Sequence, residues 1–86
     1  MVQGYYAMLT YQLIFEDESI VKYEYYPEGN KREKGLVSFS KPDGKASIIV
    51  LPPSDDTGIY ARMLFKRLRE FHSNNTYRAN GKVAWY

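Results

Sequence analysis

The sequence contains no cysteine and only one histidine, His72. Without cysteine the chain can form neither a disulfide nor a thiolate metal site, which excludes the disulfide-stabilised class of small secreted domains. One histidine excludes a metal site with two histidine ligands. Residues 1–7 contain no basic segment and no long apolar run, so we expect neither a signal peptide nor a membrane-spanning helix. These absences together predict a cytoplasmic protein.

The sequence also lacks the common catalytic motifs. Its six glycines are isolated, so they form no Gly-rich phosphate-binding loop, and there is no GxSxG motif. His72 has no second group positioned by the sequence to orient its ring for acid–base work. The consecutive carboxylates Glu16, Asp17 and Glu18 point in different directions in a hairpin and lack calcium-loop spacing. We therefore expect no catalytic residue, no metal and no cofactor. A metal-independent ribonuclease that uses Arg, Lys and Tyr is the one enzyme class left as an alternative.

The length and composition indicate one folded domain. The chain has 86 residues, 44% hydrophobic and 26% charged, so it contains material for one core and does not resemble a disordered protein. We assign residues 1–86 to a single domain, in which residues 1–7 are either a disordered extension or an alternative start. Since a domain of this size has a small stability margin, we also expect self-association into a homodimer.

The two parts of the chain carry opposite charge. Residues 1–30 hold one lysine and five acidic residues, a net −4, whereas residues 31–86 hold eleven basic and five acidic residues, a net +6. Such asymmetry can steer a charged partner or bring two copies together head to tail. The alternative is an ordinary solvated surface with no functional meaning.

Alternating apolar and polar residues predict four sequential strands. The alternation runs over residues 6–16 and resumes over residues 20–26, after an acidic stretch that forms the turn. Two shorter β-rich runs, residues 36–40 and 46–51, flank a turn that contains Pro42 and Gly44. The four strands therefore form two hairpins in a meander.

A helix and a final strand complete the predicted fold. Pro52 and Pro53 end the fourth strand, and the oxygen-bearing residues 54–57 predict that a helix begins near Asp56. Its apolar stripe holds Tyr60, Ala61, Leu64, Leu68 and Phe71, and residues 73–75 are typical of a helix end. Asn80-Gly81 predicts a tight turn before a short strand over residues 82–86.

The element order β-β-β-β-α-β predicts an α+β fold. We expect a single antiparallel sheet of four to five strands with the helix packed on one face. The sheet edge that the last strand joins is left open. The residues expected to be buried together share the facing sides of sheet and helix, and they are Leu13, Phe15, Val21, Tyr23, Leu64, Leu68 and Phe71.

Aromatic and basic residues are the candidates for a binding surface. Nine tyrosines are present, and while Tyr23 and Tyr25 fall on the core face of their strand, Tyr26 falls on the other face. The basic candidates are Arg62, Lys66 and Arg69 on the outer helix face, and Lys31 and Arg32 in the loop after the second strand. An ordinary solvated surface is again the alternative.

Three short segments carry a resemblance to a known family. These are Tyr-Glu-Tyr-Tyr-Pro-Glu-Gly-Asn at residues 23–30, Gly-Leu-Val-Ser at 35–38 and Val-Ala-Trp-Tyr at 83–86. Together they resemble a family of short uncharacterised proteins of Gram-positive bacteria and their mobile elements, over about residues 8–86. The resemblance implies no known activity, cofactor or catalytic residue.

The missing chemistry, the charge asymmetry and the surplus of aromatic residues together favour a non-catalytic interaction module that binds another protein. We expect it to self-associate through a strand edge or through the helix-free sheet face. The alternative is a single-stranded nucleic-acid-binding domain, which resembles the curved sheet plus helix of transcriptional coactivators. Binding to oligonucleotides that weakens steeply with salt would distinguish this alternative.

Overall fold

The computed structural model describes residues 7–85, which form a five-stranded sheet, a one-turn 3₁₀ helix and one α-helix. The interpretation of residues 1–7 as an extension concerns residues outside this range, except Ala7, which begins the first strand. In chain order the elements are β1 (Ala7–Glu16), β2 (Ile20–Pro27), β3 (Gly35–Ser40), β4 (Ala46–Val50), the 3₁₀ helix (Pro53–Asp55), α1 (Ile59–Asn74) and β5 (Asn80–Trp85).

The sheet is antiparallel throughout, with the strand order β4-β3-β2-β1-β5. The predicted α+β class and element order are confirmed. The sequence left the position of the last strand open, and the structure pairs β5 with β1, from Ala7 opposite Trp85 to Gln12 opposite Asn80. The sheet therefore has β4 at one edge and β5 at the other.

The core lies between one face of the sheet and the apolar stripe of α1. Leu9, Val21, Tyr23, Val37 and Phe39 are fully buried because they occupy alternate positions on the face that α1 covers. The helix contributes the predicted stripe residues, of which the buried ones are Ala61, Leu64, Leu68 and Phe71.

The prediction that Phe15 is a core residue was wrong. The pairing of β1 with β2 shifts register between Leu13 and Phe15, so that Leu13 faces Tyr23 but Phe15 faces Lys22. This β-bulge adds one residue to β1, and because strand side chains alternate, it moves Phe15 to the helix-free face. Phe15 is consequently 45% exposed, whereas Leu13 remains partly buried against the core.

The prediction of a turn at Asn80-Gly81 was also wrong. Both residues lie within β5, where Gly81 stands opposite Tyr11. A Cβ atom on Gly81 would collide with the Tyr11 hydroxyl oxygen and lie 2.8 Å from the ring carbon Cζ. The glycine is therefore needed for the close approach of an aromatic ring, not for a turn.

The helix begins at Ile59, three residues later than the predicted start near Asp56. Pro53 starts a 3₁₀ turn, and Gly58, with φ of 76°, then changes the chain direction. The expected carboxylate cap comes from Asp55, which precedes the helix start in the sequence. Asp55 accepts hydrogen bonds from the backbone N–H groups of Tyr60 and Ala61.

The helix ends at Asn74, as residues 73–75 predicted, and Asn75 follows in the left-handed conformation with φ of 53°. Within residues 7–85, no helix is long and apolar enough to span a membrane.

Candidate functional site

The most exposed apolar surface of the described chain lies along the edge strand β4. Four consecutive residues are between 41% and 49% exposed although each is a large aliphatic: Ile48, Ile49, Val50 and Leu51. We call this segment the apolar edge. These side chains are exposed in part because β4 is an edge strand, which has a neighbouring strand on one side only.

The backbone of β4 also has hydrogen-bonding groups that face away from the sheet. The turn between β3 and β4 is closed by a 2.8 Å hydrogen bond from the Ser40 N–H to the Lys45 carbonyl. In an antiparallel pair, hydrogen-bonded and non-hydrogen-bonded positions alternate. Ala46 and Ile48, opposite Phe39 and Val37, therefore direct their N–H and C=O groups outward.

Little in the sequence of β4 blocks this edge. Edge strands are usually protected from pairing by charged side chains, by proline or by an irregular backbone. Residues 46–51 contain no charged residue and no proline; Lys45 and Pro52 lie just outside the segment. One irregularity is present, a register shift between Leu36 and Val37 of β3 that places Ile49 between two paired positions of β4. The first half of β4 remains regular, and so it can accept another strand.

The predicted basic residues of the helix share one exposed face, and Arg62 is the one that lies beside this edge. Arg62, Lys66 and Arg69 are exposed on the outer side of α1, and we call them the basic helix face. Arg62 donates a 3.1 Å hydrogen bond to the carbonyl of Thr57. Within residues 7–85 none of the three forms a salt bridge, whereas Arg67 is paired with Glu70 at 3.2 Å.

At Gly58, Arg62 of the basic helix face comes beside the apolar edge. The position that a Cβ atom would take on Gly58 lies 3.6 Å from Arg62 Nη1 and 3.8 Å from Ile48 Cδ1. Gly58 carries no side chain, so the guanidinium group and the Ile48 methyl both border the open space beside its Cα atom. The outer face of α1 also holds a shallow hollow of about 320 Å³, lined by Ile59, Arg62, Met63, Phe65, Lys66 and Arg69.

The other predicted site residues lie elsewhere. Tyr26 is only 4% exposed on the helix-free face, where its hydroxyl donates a 2.6 Å hydrogen bond to Glu24. Lys31 Nζ lies 4.4 Å from the centre of the Tyr26 ring, and Arg32 is exposed in the loop between β2 and β3. The sheet separates these residues from the basic helix face, so the six predicted residues do not form one site.

The helix-free face combines polar cross-strand pairs with exposed Phe15. Cross-strand neighbours there include Gln12 with Glu24 and with Asn80, and Lys22 with Ser38. A shallow hollow of about 500 Å³ lies on this face, lined by Thr10, Tyr11, Gln12, Tyr26, Gly29, Lys31, Asn80, Gly81 and Lys82.

His72 and the acidic turn have structural partners. His72 Nε2 lies 2.8 Å from the Lys41 carbonyl, and the ring packs edge-on against Phe39. Asp17 accepts 2.8 Å hydrogen bonds from the N–H groups of Ser19 and Ile20, and these bonds lower the pKa of its carboxyl. Within residues 7–85 no three His, Asp or Glu side chains come together in a possible metal site.

Comparisons of the chain with models of known families, with curated proteins and with solved structures found no match. The resemblance to the family of Gram-positive bacteria and mobile elements therefore stays a prediction. The apolar edge was not among the residues singled out from the sequence. The signal was present, since residues 46–51 form an uncharged run that ends at Pro52, but the run was interpreted only as a strand.

Proposed function

We propose that the protein is a non-catalytic interaction module that binds another protein by accepting one of its strands along the edge of β4. The observation that carries the proposal is the apolar edge, where four aliphatic residues are at least 41% exposed beside outward-facing backbone groups. Strand addition uses these two features together, because main-chain hydrogen bonds give affinity and alternate side chains give specificity.

The other candidate surfaces support the proposal less. Tyr26, on which the nucleic-acid alternative relied, is buried beneath Lys31 on the helix-free face rather than open to a stacked base. The other sheet edge, β5, is short of large exposed aliphatics: Val83 is buried and Lys82 is charged.

A backbone substitution in β4 tests the proposal. Peptides selected from a random library for binding to the protein are measured against Ile48→Pro and Ile48→Ala. Both variants lose the Ile48 side chain, but only proline removes the outward N–H, which edge strands tolerate. We expect Ile48→Pro to bind roughly tenfold more weakly than Ile48→Ala, since a lost hydrogen bond costs about 1 kcal/mol and the ring also obstructs pairing.

Circular dichroism and a denaturant midpoint verify that each variant folds. If Ile48→Pro is unfolded, Ile49→Lys replaces it, because a charge in the centre of an edge strand opposes pairing without removing a ladder hydrogen bond. Equal affinity of the peptides for wild type, Ile48→Ala and the blocked variant would show that β4 is not the binding edge.

A further inference from the structure

We infer that the strand accepted by β4 is an acidic segment of another protein, in which carboxylate residues alternate with β-branched apolar residues. This inference rests on the proposed function and specifies its partner. It is based on the position of Arg62, which lies beside the apolar edge at Gly58, and on the cations that share its exposed helix face.

The first step concerns the side chains that an added strand would direct toward the helix. Side chains of a strand alternate between the two faces, so every second residue of the partner lies beside Ala46 or Ile48, which face the helix side. Arg62 is the neighbour of Ile48 across Gly58. A glutamate at such a position can pack its aliphatic stem on Ile48 and place its carboxylate near the Arg62 guanidinium.

The second step concerns charge. Residues 59–69 of α1 contain four cations and no carboxylate. Of these cations only Arg67 has a salt-bridge partner within residues 7–85, and that partner, Glu70, lies on the same helix. Carboxylates of an added strand would therefore supply counter-charges that the described chain does not, and they would speed association by long-range attraction.

The third step concerns the opposite side of the added strand. There the neighbouring residues of β4 are Ser47, opposite Ser38, and Val50, opposite Leu36. These side chains are small or aliphatic and carry no charge. Valine, isoleucine or threonine fits beside them, because β-branched residues pack well against cross-strand neighbours on a pleated surface.

A second copy of the chain fits this surface less well. In an antiparallel pairing of two β4 strands the twofold axis is perpendicular to the sheet, so both helices lie on the same side. The cationic outer faces of the two helices would then lie on one side of the joined sheet, where their like charges repel each other. Residues 46–51 contain no carboxylate that would neutralise them.

The probes are three short synthetic peptides with a fluorescent label, in which valine alternates with glutamate, glutamine or lysine. Fluorescence anisotropy gives the affinity of each peptide at low and high ionic strength. Hydrogen exchange of the protein gives the protection of the Ala46 and Ile48 amides. We expect the glutamate peptide to bind about tenfold more tightly than the glutamine peptide, as two or three exposed ion pairs can provide, with the lysine peptide weakest. High salt should reduce the difference.

A charge substitution with a matched control locates the carboxylates. The double variant Arg62→Gln, Lys66→Gln should lose most of the preference for glutamate over glutamine. Arg67→Gln removes a cation of the same helix that is already paired with Glu70, so it should keep that preference. Since Arg67→Gln removes one charge and the double variant two, a loss about half as large in Arg67→Gln would mean that net charge, not the basic helix face, attracts the peptide.

The outcomes separate the inference from the function on which it rests. If all three peptides bind equally and protect the Ala46 and Ile48 amides, strand addition stands and the acidic specificity is wrong. If the glutamate peptide binds without protecting these amides, and Ile48→Pro binds it as well as Ile48→Ala, strand addition itself is wrong. If no peptide binds but concentrated protein dimerises with both amides protected, the occupant is a second copy and the inference is overturned.

Discussion

The Tyr25 hydroxyl donates a 2.7 Å hydrogen bond to Oδ2 of Asp55, joining the centre of the sheet to the start of the helix. Both residues are buried, and the same carboxylate accepts the N–H groups of Tyr60 and Ala61. The Asp55 side chain thus ties the segment after β4 to β2, and Glu33 also accepts a 3.0 Å hydrogen bond from the Ser54 N–H. Burial, and the hydrogen bond to Asp55, raise the pKa of Tyr25 well above its usual range.

Asp55→Asn should destabilise the protein by about 2–4 kcal/mol, because whichever way the amide is turned its NH₂ group would face an N–H or O–H donor that the carboxylate now accepts. Asp56→Asn is the matched control, since Asp56 is exposed and should change the free energy of unfolding by less than about 0.5 kcal/mol. Urea denaturation measures both variants. Similar midpoints for the two would mean that Asp55 does not hold the helix start.

Stability should decrease at high pH because folded tyrosines resist ionisation. Burial, and the hydrogen bond to Glu24, raise the pKa of Tyr26 from 10.0 to about 12. Folding thus favours the neutral phenol of Tyr26. Its contribution to the free energy of unfolding is complete below pH 10 and is lost as the pH rises toward 12. The loss is up to about 1.4 kcal/mol per pH unit. Burial raises the pKa of Tyr23 and of Tyr25 beyond this range, which acts in the same direction.

Denaturation at pH 10 and pH 12 measures this effect, and absorbance of the ionised phenol follows the titration. Tyr26→Phe should show a shallower decrease in unfolding free energy than wild type, by the contribution of one tyrosine. An unfolding free energy that is constant over this interval would contradict the prediction.

Gly81→Ala should destabilise the protein by about 1–3 kcal/mol, because the new Cβ atom would overlap the Tyr11 ring. The test is a double-mutant cycle with Tyr11→Val, measured by thermal unfolding. In the Tyr11→Val background Gly81→Ala should be nearly neutral, since the ring that it would meet is gone. If the effects of the two substitutions on stability are additive, the destabilisation by Gly81→Ala does not arise from contact with the Tyr11 ring.

Leu68→Ala should cost about 2–4 kcal/mol because Leu68 is fully buried between α1 and the sheet. Phe15→Ala removes a larger side chain yet should cost less than about 1 kcal/mol, since the bulge in β1 leaves Phe15 exposed. Denaturant midpoints of the two variants compare them directly. A larger loss of stability for Phe15→Ala than for Leu68→Ala would indicate that Phe15 is a core residue and would contradict the observed register.

Side-chain periodicity was sufficient to predict the order and type of the elements. It works because a residue such as Tyr23 or Leu64 must face the core, and only one period per element satisfies all such residues together. It fails where one extra residue enters a strand: nothing in the composition around Phe15 distinguishes a bulge from a regular pair. It also fails at Gly81, whose role depends on Tyr11, a residue seventy positions away in the chain.

The candidate site was predicted only in part. The helical wheel correctly placed Arg62, Lys66 and Arg69 on an exposed face. The burial of Tyr26 depends on the loop that brings Lys31 over its ring, which no local pattern encodes. The exposure of Ile48 depends on the sheet order, because the same sequence would be buried in a central strand.

The pairing of β5 with β1 also bears on the order in which the sheet forms. Hairpins close short loops, whereas contacts between Ala7 and Trp85 close almost the whole described chain. We therefore expect the meander from β1 to β4 to assemble early and the last strand to dock late. Before β5 docks, β1 would be a second unpaired edge at which another chain could pair. Slow docking of β5 would thus be the step at which this protein is most prone to aggregate.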